Sequence, residues 1–162
     1  MENIASAGDI RKGLSLTGAE ASTSVALDTA VRAKVASSFA AVAGGGAPDR
    51  IFLNLENVRG LNDATVFSVY INVPEGEDPA RHPELRAGSI ALFGVRKATL
   101  ADGEHAGDGL TFVFEITHII DVLHLAGALN VSQLRVQLIP IKPVPEAAQI
   151  SVGRISIFRQ ST

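Results

Sequence analysis

Hydrophobic and polar residues alternate along much of this chain, most persistently over residues 49–74. Ile51, Leu53 and Leu55 alternate with Phe52, Asn54 and Glu56, and Phe67, Val69, Ile71 and Val73 alternate with Val66, Ser68, Tyr70 and Asn72. A period of two places every second side chain on one face, as in a strand laid on a core. Between the two runs lies Arg59-Gly60-Leu61-Asn62-Asp63, rich in turn formers, so the spacing predicts two strands paired as a hairpin.

The same pattern, in shorter pieces, accounts for most of the chain. Leu14 and Leu16 predict a short strand ended at Gly18, and Val25 and Leu27 a second. Val31, Val35 and Phe39 recur every fourth residue among alanines, which predicts one or two helical turns. Gly44 to Pro48 breaks that helix. The polar segment 74–88 contains Pro74, Pro79 and Pro83, which excludes a central strand and predicts a long loop. Ser89 to Arg96 reads as a strand apolar on both faces, and a second turn-rich loop occupies 97–109. Leu110, Phe112, Phe114 and Ile116 form a clear alternation. Thr117 is then the expected N-cap of a short helix with Ile119, Val122 and Leu123 on one side and Gly127 at its end. Leu134, Val136 and Leu138 predict another strand, ended by Pro140, Pro143 and Pro145. In the last strand Ile150 and Val152 are out of phase with Ile155 and Ile157, which predicts a β-bulge near Gly153. Residues 1–12 show no period and read as a tail or linker, leaving 13–160 as one domain. The expected fold is all-β: an antiparallel β-sandwich or jelly-roll-like barrel of about eight strands with one or two short helices.

Composition narrows the partners. The 162 residues are 46% hydrophobic and 19% charged, with a formal net charge of -3. That supports a folded core and shows no basic stripe for a phosphate backbone, so no nucleic acid is expected. No apolar run approaches the ~20 residues of a membrane span. The first residues lack the apolar core of a signal peptide, so a cytoplasmic location is the default expectation. The chain contains no cysteine, which removes disulfides and thiolate chemistry, and no tryptophan, so Phe is the large core filler.

Candidate chemistry is sparse. The four histidines are His82, His105, His118 and His124. His118 and His124 share the short helix, but their spacing turns them about 120° apart around its axis, unlike an i, i+4 metal pair. His82 with Glu84, and His105 with Glu104, sit in the two long loops and would form a metal site only if those loops converge. Asp102, Glu104 and Asp108 depart from the EF-hand spacing. No nucleophile elbow, P-loop or zinc-protease motif is present.

Six stretches taken together resemble the C-terminal domain of tyrosinases and polyphenol oxidases. They are RIFLNLENVRG (50–60), VFSVYINVP (66–74), PELRAGSIALFGVRK (83–97), GLTFVFEITHIIDVL (109–123), LRVQLIPIKPVPE (134–146) and ISVGRISIFRQ (150–160). In plant members a related strand carries Lys-Phe-Asp-Val; Val66-Phe67-Ser68-Val69-Tyr70 stands in its place, with Phe and Val kept and Lys and Asp replaced. The resemblance implies a non-catalytic domain that packs on a helical, di-copper catalytic domain and shields its entrance with a side chain. Copper would then belong to that partner and not to this chain. The candidate blocking residues are Leu85, His82 and His105, on the two long loops; Leu85 alternatively just begins the next strand. A tyrosinase-like catalytic domain is thus the expected partner, and an unpartnered copy is expected to self-associate. The alternative is an independent β-sandwich module for glycans or self-association, which would show exposed aromatics; Phe52, Phe93 and Phe158 are instead expected in the core. A third reading is a loop metal site with its own activity.

Overall fold

The computed structural model describes residues 1–7, 14–27, 29–63, 65–102, 106–127 and 133–162. Two antiparallel sheets face one another, as the alternation predicts. The first contains β1 (Glu2–Ala7), β9 (Ser151–Gln160), β4 (Arg50–Arg59) and β7 (Leu110–Glu115) in that order, with β2 (Leu14–Ser15) also on β9. The second runs β3 (Ala21–Ala26), β8 (Gln133–Pro140), β5 (Val66–Ile71) and β6 (Arg86–Ala91). Three helices accompany them among the described residues: α1 (Thr29–Ala41), α2 (Val95–Thr99) and α3 (Thr117–Leu125). The architecture is the expected all-β sandwich.

The core lies between the sheets. Ile51, Leu53 and Leu55 of β4 and Ile155 and Ile157 of β9 face Phe67, Val69 and Ile71 of β5 and Val136 and Leu138 of β8, all buried. Each such side chain contributes about 1.5–3 kcal/mol by leaving water, so these four strands carry most of the stabilisation. One end of the sandwich is covered by helix. There Val31 and Val35 of α1 and Ile120 of α3 meet Ile51, Leu134 and Ile157 around a small void. The other end carries the β4–β5 connection, the β6–α2 turn and the β8–β9 loop.

Several expectations are corrected. The two alternating runs of residues 49–74 do not pair as a hairpin: β4 lies between β9 and β7, and β5 between β8 and β6. Residues 60–65 instead carry the chain from one sheet to the other. Each run is buried along one face by the opposite sheet, and an alternation pattern cannot tell a sheet neighbour from a facing strand. The N-terminal segment, expected to be a tail, forms β1 along β9, with Glu2 opposite Arg159 and Ala7 opposite Ile155. Residues 89–96 split into the end of β6, a turn at Phe93-Gly94 and α2, because Gly94 adopts φ +80. Helix α1 is longer than expected, at 13 residues. Thr117 is not the N-cap of α3; that place is Ile116, while the Thr117 hydroxyl accepts from Ile51 N (3.0 Å) and donates to Glu115 (3.1 Å). On α3 the buried residues are Ile119, Ile120 and Leu123, and Val122 is exposed.

The phase slip at Gly153 is real but shared. Leu55 pairs with Ile155 and Val58 with Val152, so β4 and β9 slip together and keep one register. The shift appears against β7, between Leu55 and Val58. Asn57 takes up the slip at φ +54, its side-chain amide donating to Asp108 O (2.6 Å). Opposite it, a Cβ on residue 153 would lie 2.7 Å from the Asn57 Cβ, which only glycine avoids. On the outer face nearby, Glu56 accepts from Arg154 Nε (2.8 Å) and from the Ser156 hydroxyl (2.6 Å). The Arg154 hydrogen bond is the main cause that holds the Glu56 carboxyl below its ordinary range.

Gly153→Val is expected to destabilise the fold by roughly 1–3 kcal/mol through overpacking against Asn57, read as a lower urea midpoint. Gly44→Ala, at an open position, should leave that midpoint in place. The lowered Glu56 value gives a second test. Its contribution is present above the ordinary carboxylate range and is lost as pH falls through the lowered value. Glu56→Gln should therefore flatten the acid limb of stability against pH; parallel curves for the two proteins would reject this linkage.

Candidate functional site

The two long loops singled out in the sequence leave opposite ends of the sandwich. The segment after Ile71 and Val73 returns at Arg86, at the helix-covered end, whereas the segment after Ala91 leads through α2 to Leu110 at the other end. The six residues of β6 separate them, about 20 Å at ~3.3 Å per residue. The described parts of the two loops therefore do not converge. Among the described residues no group of three or more His, Asp or Glu is arranged to hold a metal.

His82 sits between two short 3-10 turns, Pro79–Arg81 and Pro83–Leu85. Proline opens each turn, and Asp78 caps the first by accepting from Ala80 N (3.0 Å). This local chemistry gives a polar, proline-rich stretch a defined shape. The His82 ring bonds Glu84 through Nδ1 (2.9 Å) and Glu77 through Nε2. Both nitrogens are thus bonded to carboxylates of the same loop. Leu85 is 5% exposed and packs into the core, where its turn meets α3. Its side chain does not project from the surface, and its turn hands the chain into β6. His105, like Glu104, lies outside the described residues.

The helix histidines belong to packing and surface. His124 lies against Phe39 with ring centroids 6.1 Å apart, joining α3 to α1. His118 and Asp121 line an open cleft beside Phe39, Val42 and Pro48. The carboxylate of Glu115 at its rim is taken by Arg50 (2.7 Å), which with Thr117 holds it below its ordinary range.

The feature missed in the sequence is Phe93. It is 88% exposed, while Leu92 before it and Val95 after it are fully buried. Leu92 N donates to Thr65 O and Val95 N to Leu92 O (both 3.0 Å), and Asp63 accepts from Arg96 N (2.8 Å) to cap α2. The turn is thus anchored on both sides, and the ring stands on a rigid support. Beside it, Ile141 is 75% exposed just beyond β8, with its N–H on Val66 O (3.0 Å). Phe93 and Ile141 flank the start of β5 on its two sides, and Ile141 lines a groove of about 360 Å3 with Thr65, Val66 and Pro143. The signal for this turn is Gly94: Leu92 and Val95 are three apart, a spacing no strand would bury together. Phe52 and Phe158 also lie outside the core, paired across β4 and β9 on the outer sheet face, with the Arg50 guanidinium 5.1 Å from the Phe52 ring centre.

Comparison with known proteins gives the chain a family and the fold its relatives. A family described as a domain of unknown function (DUF7868) matches residues 3–160. In sequence the chain is 31% identical over 116 residues to tyrosinase HcTyr1 of Hahella sp. (strain CCB-MM4), covering 72% of this chain and 24% of that protein. In structure it is similar to a latent aurone synthase (polyphenol oxidase), with TM-score 0.56 and 13% identity, covering 92% of this chain and 26% of the other. A latent apple tyrosinase matches with TM-score 0.54 and 21% identity, over 92% of this chain and 27% of the other. The chain therefore spans about a quarter of the length of these relatives. No helix among the described residues is long and apolar enough to cross a membrane. The chain belongs to the DUF7868 family, and its resemblance to the tyrosinase and polyphenol oxidase C-terminal domain is borne out.

Proposed function

We propose that this chain is a non-catalytic companion domain of a tyrosinase-like copper oxidase. It packs by its Phe93 end over the entrance of the copper site and shields it. The observation that carries this reading is an apolar ring, 88% exposed, on a turn whose neighbours are locked into the core. With Ile141 75% exposed across β5, the ring gives this end a rigidly held aromatic anchor suited to a concave partner. Two solved proteins of this fold are described as latent, which suits a domain that withholds an activity. The described residues do not fit copper themselves, since the loop histidine among them is engaged by Glu77 and Glu84. The copper chemistry belongs in this reading to the partner domain.

The test is titration of the separately produced catalytic domain with this chain up to millimolar concentration, the range a linker would supply, following diphenol oxidation and complex formation. Oxidation is expected to fall as the chain is added. Phe93→Ser, at a position with no core contact to lose, should fold normally and bind roughly tenfold or more weakly, the weight of one interface anchor. Unchanged oxidation with no complex would reject the proposal. The same exposed end should make an isolated chain self-associate through Phe93 and Ile141. Light scattering across a concentration series is expected to show dimer for the natural chain and monomer for a Phe93→Ser, Ile141→Ser double variant; monomer throughout for both rejects self-association.

A further inference from the structure

His82 has an acceptor at each ring nitrogen: Glu84 Oε1 at Nδ1 (2.9 Å) and Glu77 Oε2 at Nε2. A neutral imidazole carries one N–H and one lone pair, so it can donate to only one of the two carboxylates. Its lone pair would face the other carboxylate, oxygen against nitrogen with no proton between them. The imidazolium donates to both, through charge-assisted bonds. We propose that residues 74–85 form a proton-gated clasp, in which the His82 imidazolium ties Glu77 to Glu84 and loss of its proton frees the Glu77 side of the loop.

The surroundings suit a hinged segment. Val73 on one side and Leu85 on the other are buried and fix its two ends. Between them the backbone makes only local turns: Glu77 N to Pro74 O (3.1 Å), Arg81 N to Asp78 O (3.0 Å), His82 N to Pro79 O (2.9 Å) and Leu85 N to His82 O (3.0 Å). Asp78 caps the first turn through Ala80 N, and His82 to Glu77, five residues apart, is the widest side-chain link within the loop among the described residues. Glu75, Asp78, Arg81 and Arg86 are the other charged groups on this stretch, and Arg86 donates to Ser89 instead. Helix α3 packs on the Pro83–Leu85 turn and brings His118, Asp121 and His124. His124 is turned to Phe39, and His118 and Asp121 line the cleft beside that ring. The charges bonded to His82 are therefore the two carboxylates. Glu84 first and Glu77 second hold its pKa above the ordinary histidine value, while His82 is the main cause that keeps Glu84 below the ordinary carboxylate value.

The signs define a window. The raised histidine contributes fully below its ordinary value, about 6.5, and its contribution is lost as pH rises through the raised one. The lowered Glu84 contributes above the ordinary carboxylate value, about 4.3, and its contribution is lost as pH falls through the lowered one. The clasp is closed in mildly acidic solution and opens as pH rises through the raised histidine value.

The experiment uses the whole chain. Imidazole nitrogen NMR across a pH series should show His82 with protons on both nitrogens at about pH 6 and holding them to higher pH than a free histidine. Amide hydrogen exchange, corrected for its intrinsic pH dependence, should rise roughly threefold to fivefold over residues 75–84 as His82 deprotonates. Core amides in β4 and β5 should not change over the same range. His82→Phe should show the open exchange rate at every pH, while Glu75→Gln, off the clasp, should behave as the natural chain does. A His82 ring neutral at about pH 6, or exchange that ignores its titration, overturns the proposal; so does a His82→Phe loop that stays protected.

Discussion

The close approach at Gly60 is the constraint on which the rest of this molecule depends. There the chain leaves β4, a central strand of one sheet, and crosses to β5, a central strand of the other. A Cβ at residue 60 would lie 2.9 Å from the Ile150 side chain, so the crossing passes directly over the start of β9. Its backbone is tied on both sides: Gly60 N donates to the Thr99 hydroxyl (2.9 Å) and Leu61 N to Ala148 O (2.8 Å). The first bond reaches α2 and the second reaches the loop before β9. One tight crossing thereby brings together the three connections that build this end of the sandwich. The Phe93 turn is rigid because its neighbours are locked to that junction.

The two ends of the sandwich consequently have different characters. The helix-covered end is closed by apolar contacts from α1 and α3 and edged by a charged, self-satisfied loop. The crossover end carries only the short α2 among the described helices and displays Phe93 and Ile141 on either side of β5. Leu125 and Val42 are exposed at the helix-covered end as well, so what distinguishes the crossover end is Phe93, the most exposed large apolar side chain among the described residues. The outer face of the first sheet adds a smaller apolar element in the Phe52–Phe158 pair, but Arg50 partly covers it, and its groups are engaged in cross-strand ion pairs.

Much of the strand content was legible because burial on one face imposes a period of two, and the residues that carry it, such as Ile51 to Leu55 and Phe67 to Ile71, face a single core. What alternation cannot encode is which strand lies beside which. The supposed hairpin shows this: Arg59 to Asp63 contains good turn formers, yet they serve a crossing between sheets, selected by contacts with Thr99 and Ala148 far away in the chain. β1 escaped notice for a related reason. It lies at a sheet edge, and a single large apolar residue, Ile4, among small and polar ones gives no period to read. The site was less legible still. Leu85 looked like a loop residue because prolines surround it, and Phe93 looked like a core residue because apolar residues surround it. Each assignment is reversed by one backbone feature, the proline-started turn before Leu85 and the left-handed Gly94 after Phe93.

The proposed shielding role also fits the energetics of a tethered domain. One exposed aromatic and one exposed aliphatic side chain can supply only a few kcal/mol on burial, which after the cost of association corresponds to weak binding between free molecules. Joined to its partner by a linker, the same contact works at an effective concentration in the millimolar range, and weak binding then suffices to keep an entrance covered. Cutting the linker removes that concentration without altering any contact. A rigid prong of modest area thus suits a reversible cover better than a large apolar interface would, because a large interface would persist after cleavage. In that arrangement Phe93 sets the fit, while the tether sets the occupancy.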